Sequence, residues 1–76
     1  MKFIEIMKFI EIKSYKEESI FINPLKIVAI EQDATKRNNC GILFEGLTRP
    51  MFVPLSAREL VNKIEERIQD EYSGID

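Results

Sequence analysis

The stretch SARELVNKIEERI, residues Ser56–Ile68, decides the fold because it marks the start of a helix and then its apolar face. Ser56 and Glu59 have the spacing of a capping box, in which the serine oxygen accepts from the third helical amide and the glutamate reaches back to the serine amide. The apolar side chains that follow recur at helical spacing and form one stripe: Leu60, Val61, Ile64 and Ile68. The sequence therefore predicts an amphipathic helix from Ala57 to about Glu71.

The residues before this helix have the composition of short strands separated by turns. Polar residues 16–19 predict one turn, and residues 33–39 predict a polar loop of hairpin length. Asn23 and Pro24 end a strand, because proline cannot donate a hydrogen bond to the ladder. The predicted strands lie at residues 2–13, 20–22, 26–32, 40–45 and 51–53.

These elements predict a small α+β domain. We expect an antiparallel β-meander or partly closed barrel of about five strands, with one C-terminal amphipathic helix packed across it. The 76 residues are expected to form a single domain, with a duplicated strand extension at 1–7, a β-rich part at 8–55, the helix at 56–72 and a tail at 73–76. The predicted core consists of Ile10, Ile12, Ile20, Ile22, Ile27, Ala29, Ile42, Phe44, Met51, Val53, Leu60, Ile64 and Ile68.

The chain opens with the same six residues twice, MKFIEI at Met1–Ile6 and again at Met7–Ile12. On a strand, an even repeat keeps both copies on the same faces, whereas on a helix the second copy would be rotated by about 240°. One copy suffices for the sheet, and we assign that role to residues 9–13. The other copy is either a duplicated, disordered start or a strand that adds to a neighbouring subunit. The proposed oligomer strand consists of Lys2, Phe3, Ile4, Glu5 and Ile6.

Composition argues against several classes of function. The chain has 11 Lys and Arg against 13 Asp and Glu, one cysteine and no histidine. Zinc ligands, the usual general base near neutral pH and an intrachain disulfide are therefore missing, so we expect no enzyme, no cofactor and no metal. The opening residues alternate apolar with charged, and no stretch approaches ~20 apolar residues. We therefore expect a cytoplasmic chain without membrane contact.

Four basic residues are candidates for a contact with a protein partner or RNA: Lys13, Lys36, Arg37 and Arg58. Lys36 and Arg37 lie in the predicted hairpin loop, although turn chemistry alone also accounts for such residues. Arg58 lies in the first helical turn, where its charge opposes the helix dipole. Residues 56–76 hold three basic and six acidic groups, and this acidic surface is a poor neighbour for phosphate.

The stretch INPLKIVAIE, residues 22–31, together with Gly46 and the Ser-x-x-Glu helix start, resembles the small flagellar and swarming motility protein family. Members of that family are similar in having an apolar-Asn-Pro strand end, an apolar-x-x-Ile-Glu strand, a hairpin and a final amphipathic helix. The likeness extends over roughly residues 7–69, and the chain departs from the family pattern at residues 34–39 and 47–50.

The order of five strands and then a helix is also similar to the carbon storage regulator family, with ESIFI at residues 18–22 and Glu59-Leu60 followed by Lys63-Ile64. That resemblance implies an intertwined dimer that binds messenger RNA. The arginines with which the family reads RNA are not matched, since residues 11–13 and 56–57 are EIK and SA here. Arg58 is a displaced substitute for one of them.

The leading prediction is a small non-enzymatic, oligomeric protein–protein interaction or regulatory module. We expect it to form a homo-oligomer through strand edges, with a protein partner that the sequence does not identify. The alternative is a post-transcriptional RNA-binding regulator.

Overall fold

The computed structural model describes residues 9–73, and their side chains up to Ile68, as five strands followed by one helix. The α+β class and the C-terminal helix are thereby confirmed. The proposed oligomer strand Lys2–Ile6 lies outside the described residues. The elements are β1 (Ile10–Lys13), β2 (Ser19–Ile22), β3 (Ile27–Gln32), β4 (Cys40–Phe44), β5 (Met51–Val53) and α1 (Ala57–Ser73).

The strands form two antiparallel sheets. β1 and β2 pair as a hairpin, and β3, β4 and β5 form a three-stranded meander with β4 in the centre. A short 3₁₀ turn at Pro24–Lys26 separates the two sheets, and the Asn23 side chain caps it by accepting from the Leu25 amide at 3.0 Å. This turn includes Lys26, which the sequence had assigned to the third strand. The Asn-Pro step therefore ends β2 as predicted. It also divides the predicted five-stranded meander into a hairpin and a three-stranded sheet.

The core lies between the inner faces of the two sheets and α1. Its buried members are Ile10, Ile12, Ile22, Cys40, Ile42, Val53 and Leu60. Half-buried apolar side chains pack around them: Ile20, Ile27, Ile30, Phe44, Met51, Leu55, Ala57 and Ile64. The alternation of the strands explains this set, because every second residue of β1 and β4 points to the same side.

One predicted core position in β3 is wrong, and a β-bulge is the reason. Ile27 lies opposite Phe44, but the register then shifts, so that Ala29 lies opposite Leu43 and Ile30 opposite Ile42. The extra residue moves Ala29 to the outer face, since a shift of one residue exchanges the faces of a strand. Ile30 consequently packs against the core in place of Ala29.

The start of α1 has the capping box that the sequence predicted. The Glu59 amide donates to Ser56 Oγ at 3.1 Å, and the Ser56 amide donates to Glu59 Oε1 at 3.0 Å. Leu60, which follows directly, is fully buried. The cap therefore fixes where the helix begins and places its first apolar residue over the core.

Ser56→Ala should lower the free energy of unfolding by about 1 kcal/mol, because the Glu59 amide loses its acceptor, whereas Ser56→Asp should be nearly neutral. Urea denaturation followed by circular dichroism measures both values. Thr48→Ala removes an exposed hydroxyl from the loop before β5 and is the matched control. Negligible effects of both Ser56 variants would contradict the role of this serine as a helix cap.

Candidate functional site

Three polar segments meet at one end of the molecule, which we call the polar end. They are the β1–β2 turn (residues 14–18), the β3–β4 loop (residues 33–39) and the first turn of α1 (residues 56–59). A side-chain hydrogen bond joins the loop to the β1–β2 turn, and Gln32, the last residue of β3, bonds both the loop and the helix start. The polar end therefore has a defined arrangement, although its parts come from distant positions in the chain.

Asp33 organises the β3–β4 loop from within. Its Oδ1 accepts from the amide and hydroxyl of Thr35 at 2.8 and 2.9 Å, and from the Lys36 amide at 3.3 Å. Its Oδ2 accepts from Asn39 Nδ2 at 3.1 Å. These donors favour the charged carboxylate, and the Thr35 amide contributes most to lowering the pKa of Asp33 from 3.8 to about 2.

Gln32 joins this loop to the helix. Its Nε2 lies 3.0–3.2 Å from four loop carbonyl oxygens, those of Asp33, Lys36, Arg37 and Asn39. Its Oε1 accepts from the Ala57 amide at 2.9 Å, which is one of the helix-start amides without a partner inside the helix. The sequence indicated Gln32 only as the last residue of a strand, and no local pattern distinguishes this role.

Tyr15 joins the two sheets at the same end. It lies in the β1–β2 turn, and its hydroxyl donates to Oδ1 of Asn39 in the β3–β4 loop. Asn39 in turn donates to Asp33. A continuous series of hydrogen bonds therefore extends from the first sheet into the loop of the second.

The four basic residues predicted as contacts all belong to segments at or next to the polar end. Lys36 and Arg37 are exposed in the loop, and Arg58 follows the residue anchored by Gln32. Lys13 precedes the β1–β2 turn and donates to Ser19 Oγ at 3.3 Å. Among residues 9–68, no carboxylate lies within 4.0 Å of these four charged groups. The ion pair within this range joins Lys26 and Glu45 instead.

The polar end is not uniformly positive. Glu17 and Glu18 lie in the β1–β2 turn, Asp33 lies in the loop, and Glu59 lies in the first turn of the helix. The low pKa of Asp33 keeps its charge at neutral pH. A phosphate group at this end would therefore meet both signs of charge.

The segments at the opposite ends of the strands carry several exposed apolar side chains beside the exposed Lys26–Glu45 ion pair. Five large side chains there are between 54% and 63% exposed: Phe9, Phe21, Leu25, Val28 and Leu47. Phe9 precedes β1, and Phe21 lies on β2. Leu25 lies on the 3₁₀ turn, Val28 at the bulge of β3, and Leu47 after β4. The Glu45 amide donates to the Lys26 carbonyl at 2.8 Å and holds the segments of Leu25 and Leu47 together. We call these five residues the apolar end.

The chain has one cysteine, and it lies in the core. Cys40 is fully buried, and burial, followed by the nearby charge of Glu59, raises the pKa of its thiol. Within the part of the chain that the structure describes, no group of three or more Cys, Asp or Glu side chains is placed to hold a metal ion. The same part contains no helix with the length and apolar character needed to cross a membrane.

Comparison with known proteins identifies no relative. No family model, curated protein or solved structure matches the chain. The resemblances to the small flagellar and swarming motility proteins and to the carbon storage regulators therefore stay predictions.

Asp33→Asn should lower the melting temperature at pH 6, because the loop amides lose a charged acceptor. The folded-state pKa of Asp33 lies below the ordinary value of 3.8, so its stabilising contribution is complete above that value and disappears as the pH falls toward about 2. The difference in melting temperature between wild type and variant should therefore shrink over this range.

Thermal unfolding at several pH values measures this difference, with Glu31→Gln, an exposed carboxylate on β3, as the control. A difference that stays constant between pH 6 and pH 2 would contradict the assigned role of the Asp33 charge.

Proposed function

We propose that this chain is a small non-enzymatic protein–protein interaction or regulatory module that works as an oligomer. The observation that carries the proposal is the apolar end. Single exposed apolar residues are common, but a group of five on neighbouring segments is typical of a surface that binds another protein. A domain of 76 residues has a small core of its own, so covering this surface would add substantially to its buried apolar area.

Open strand edges also support the proposal. In the described part of the chain, β1, β2, β3 and β5 each have one edge without a partner strand. Soluble proteins usually protect such edges or use them to add a strand from another chain. Lys2–Ile6 repeats the sequence of Lys8–Ile12, which includes most of β1, and is our proposed added strand.

Light scattering across a concentration series tests this role of Lys2–Ile6. The full chain should exceed the 8.9 kDa of a monomer and increase in mass with concentration. A chain that begins at Met7 should need higher concentrations for the same mass, because it lacks the added strand. A full-length variant with serine at Phe3, Ile4 and Ile6 keeps the length and should behave like the shortened chain. Equal masses for all three chains would show that the extra copy holds no subunits together.

RNA binding is a second candidate because four basic residues, without ion-pair partners in the described part of the chain, lie at or next to the polar end. The resemblance to the carbon storage regulators favours the same candidate. The net charge of −2 and the acidic helix weigh against it, since phosphate binding usually requires an excess of positive charge.

We expect no band shift with cellular RNA at low salt in a gel-shift assay, because the acidic side chains oppose phosphate. The control is the variant in which Lys13, Lys36, Arg37 and Arg58 are all alanine. A wild-type shift that weakens with salt and is absent in this variant would replace our leading proposal with RNA binding.

A further inference from the structure

Among residues 9–73, the edge of β1 that faces away from β2 has no partner strand. The Ser14 amide donates to the Glu18 carbonyl and the Ser14 carbonyl accepts from the Glu17 amide, both at 2.9 Å, so the backbone groups of Ser14 point toward the β2 side of the hairpin. Hydrogen-bonded and non-bonded pairs alternate along an antiparallel ladder, and the β1–β2 register has no shift. The N–H and C=O groups of Glu11 and Lys13 therefore point away from β2.

The side chains on this edge are self-complementary about Ile12. In a second β1 placed antiparallel, with Ile12 opposite Ile12, Glu11 of each copy lies opposite Lys13 of the other. Both residues are exposed, and both have the outward-pointing backbone groups. One register therefore satisfies the ladder hydrogen bonds and places two pairs of opposite charges across the strands.

The neighbouring registers are unfavourable. A shift of two residues in the register places either Lys13 opposite Lys13 or Glu11 opposite Glu11, and like charges directly opposite are destabilising. A register shift of one residue places backbone groups that point toward the second strand opposite groups that point away from it. The hydrogen bonds between the two strands are then lost. The charge pattern consequently selects one register.

Among the described residues, a groove lies beside this edge. A groove of about 460 Å³ runs along residues 11–13, and its opposite wall is formed by Pro54, Leu55 and Lys63. It continues toward residues 66–67 of the helix in one direction and toward Tyr15 in the other. An additional strand would enter this groove at the exposed edge of β1.

We infer that two copies of this chain associate through β1, antiparallel about a twofold axis at Ile12, to form a continuous four-stranded sheet. This inference rests on the proposed function and names its partner as a second copy of the chain. A twofold axis makes the same patch serve both subunits, so each charge pair occurs twice. Glu11 and Lys13 set the register of the interface.

Charge reversal tests this interface in the full chain. Glu11→Lys and Lys13→Glu each place like charges at both pairs and should weaken self-association by roughly 10- to 30-fold. An equimolar mixture of the two variants should associate like the wild type, because two lysines then face two glutamates. The double variant, Glu11→Lys with Lys13→Glu, should also associate like the wild type, since its charges are exchanged and still opposite.

Sedimentation equilibrium gives the association constants, and circular dichroism verifies that each variant is folded. Glu31→Lys makes the same charge reversal on a strand of the other sheet and should leave association unchanged. A wild type that associates while both single variants do so equally well would overturn the β1 interface and leave the proposed function standing. Association that depends only on residues 1–6 would also overturn it, in favour of Lys2–Ile6 as the added strand. A wild type that is monomeric at every concentration would overturn both.

Discussion

The arrangement of the polar end depends on the hydrogen bonds of the Gln32 side chain. Its carbonyl oxygen accepts from the first amide of α1, and its amide nitrogen lies within hydrogen-bonding distance of the β3–β4 loop carbonyls. Polar backbone groups at helix starts and in loops need partners, and here one side chain serves both. Gln32 is the last residue of β3, so its hydrogen bond to Ala57 holds the start of α1 beside the end of this strand. Leu60, in the next turn of the helix, is buried in the core.

The break between the two sheets determines how many strand edges the described residues leave open. The Asn-Pro step removes a ladder donor, and the 3₁₀ turn that follows carries the chain out of the first sheet. One five-stranded sheet would have two open edges, whereas two separate sheets have four in the described residues. The same local step that ends β2 therefore creates two additional strand edges in the described part of the chain.

Local features of the sequence predicted local features of the structure well. The capping box and the strand ends at proline depend on residues a few positions apart, and each is present. Of the predicted stripe of α1, Leu60 lies in the core and Ile64 packs against it. The β-bulge that exchanges Ala29 for Ile30 was not predictable, because it depends on pairing with β4 and not on the pattern of β3 itself. The loop contacts of Gln32 and the hydrogen bond from Tyr15 to Asn39 were missed for the same reason, since both depend on tertiary structure.

The polar end, the apolar end and the β1 edge are three different surfaces, so the inferred dimer could use one and leave the others exposed. In an antiparallel pair about Ile12, Phe9 of one subunit lies beside Tyr15 of the other, so the apolar end of each subunit adjoins the polar end of its neighbour. Pairing through β1 would therefore leave Phe21, Leu25 and Val28 uncovered on both subunits. The dimer would carry two apolar ends related by the twofold axis, each available to a further protein. Under this proposal, backbone hydrogen bonds and paired charges would join the two copies, and apolar contact would bind a further protein.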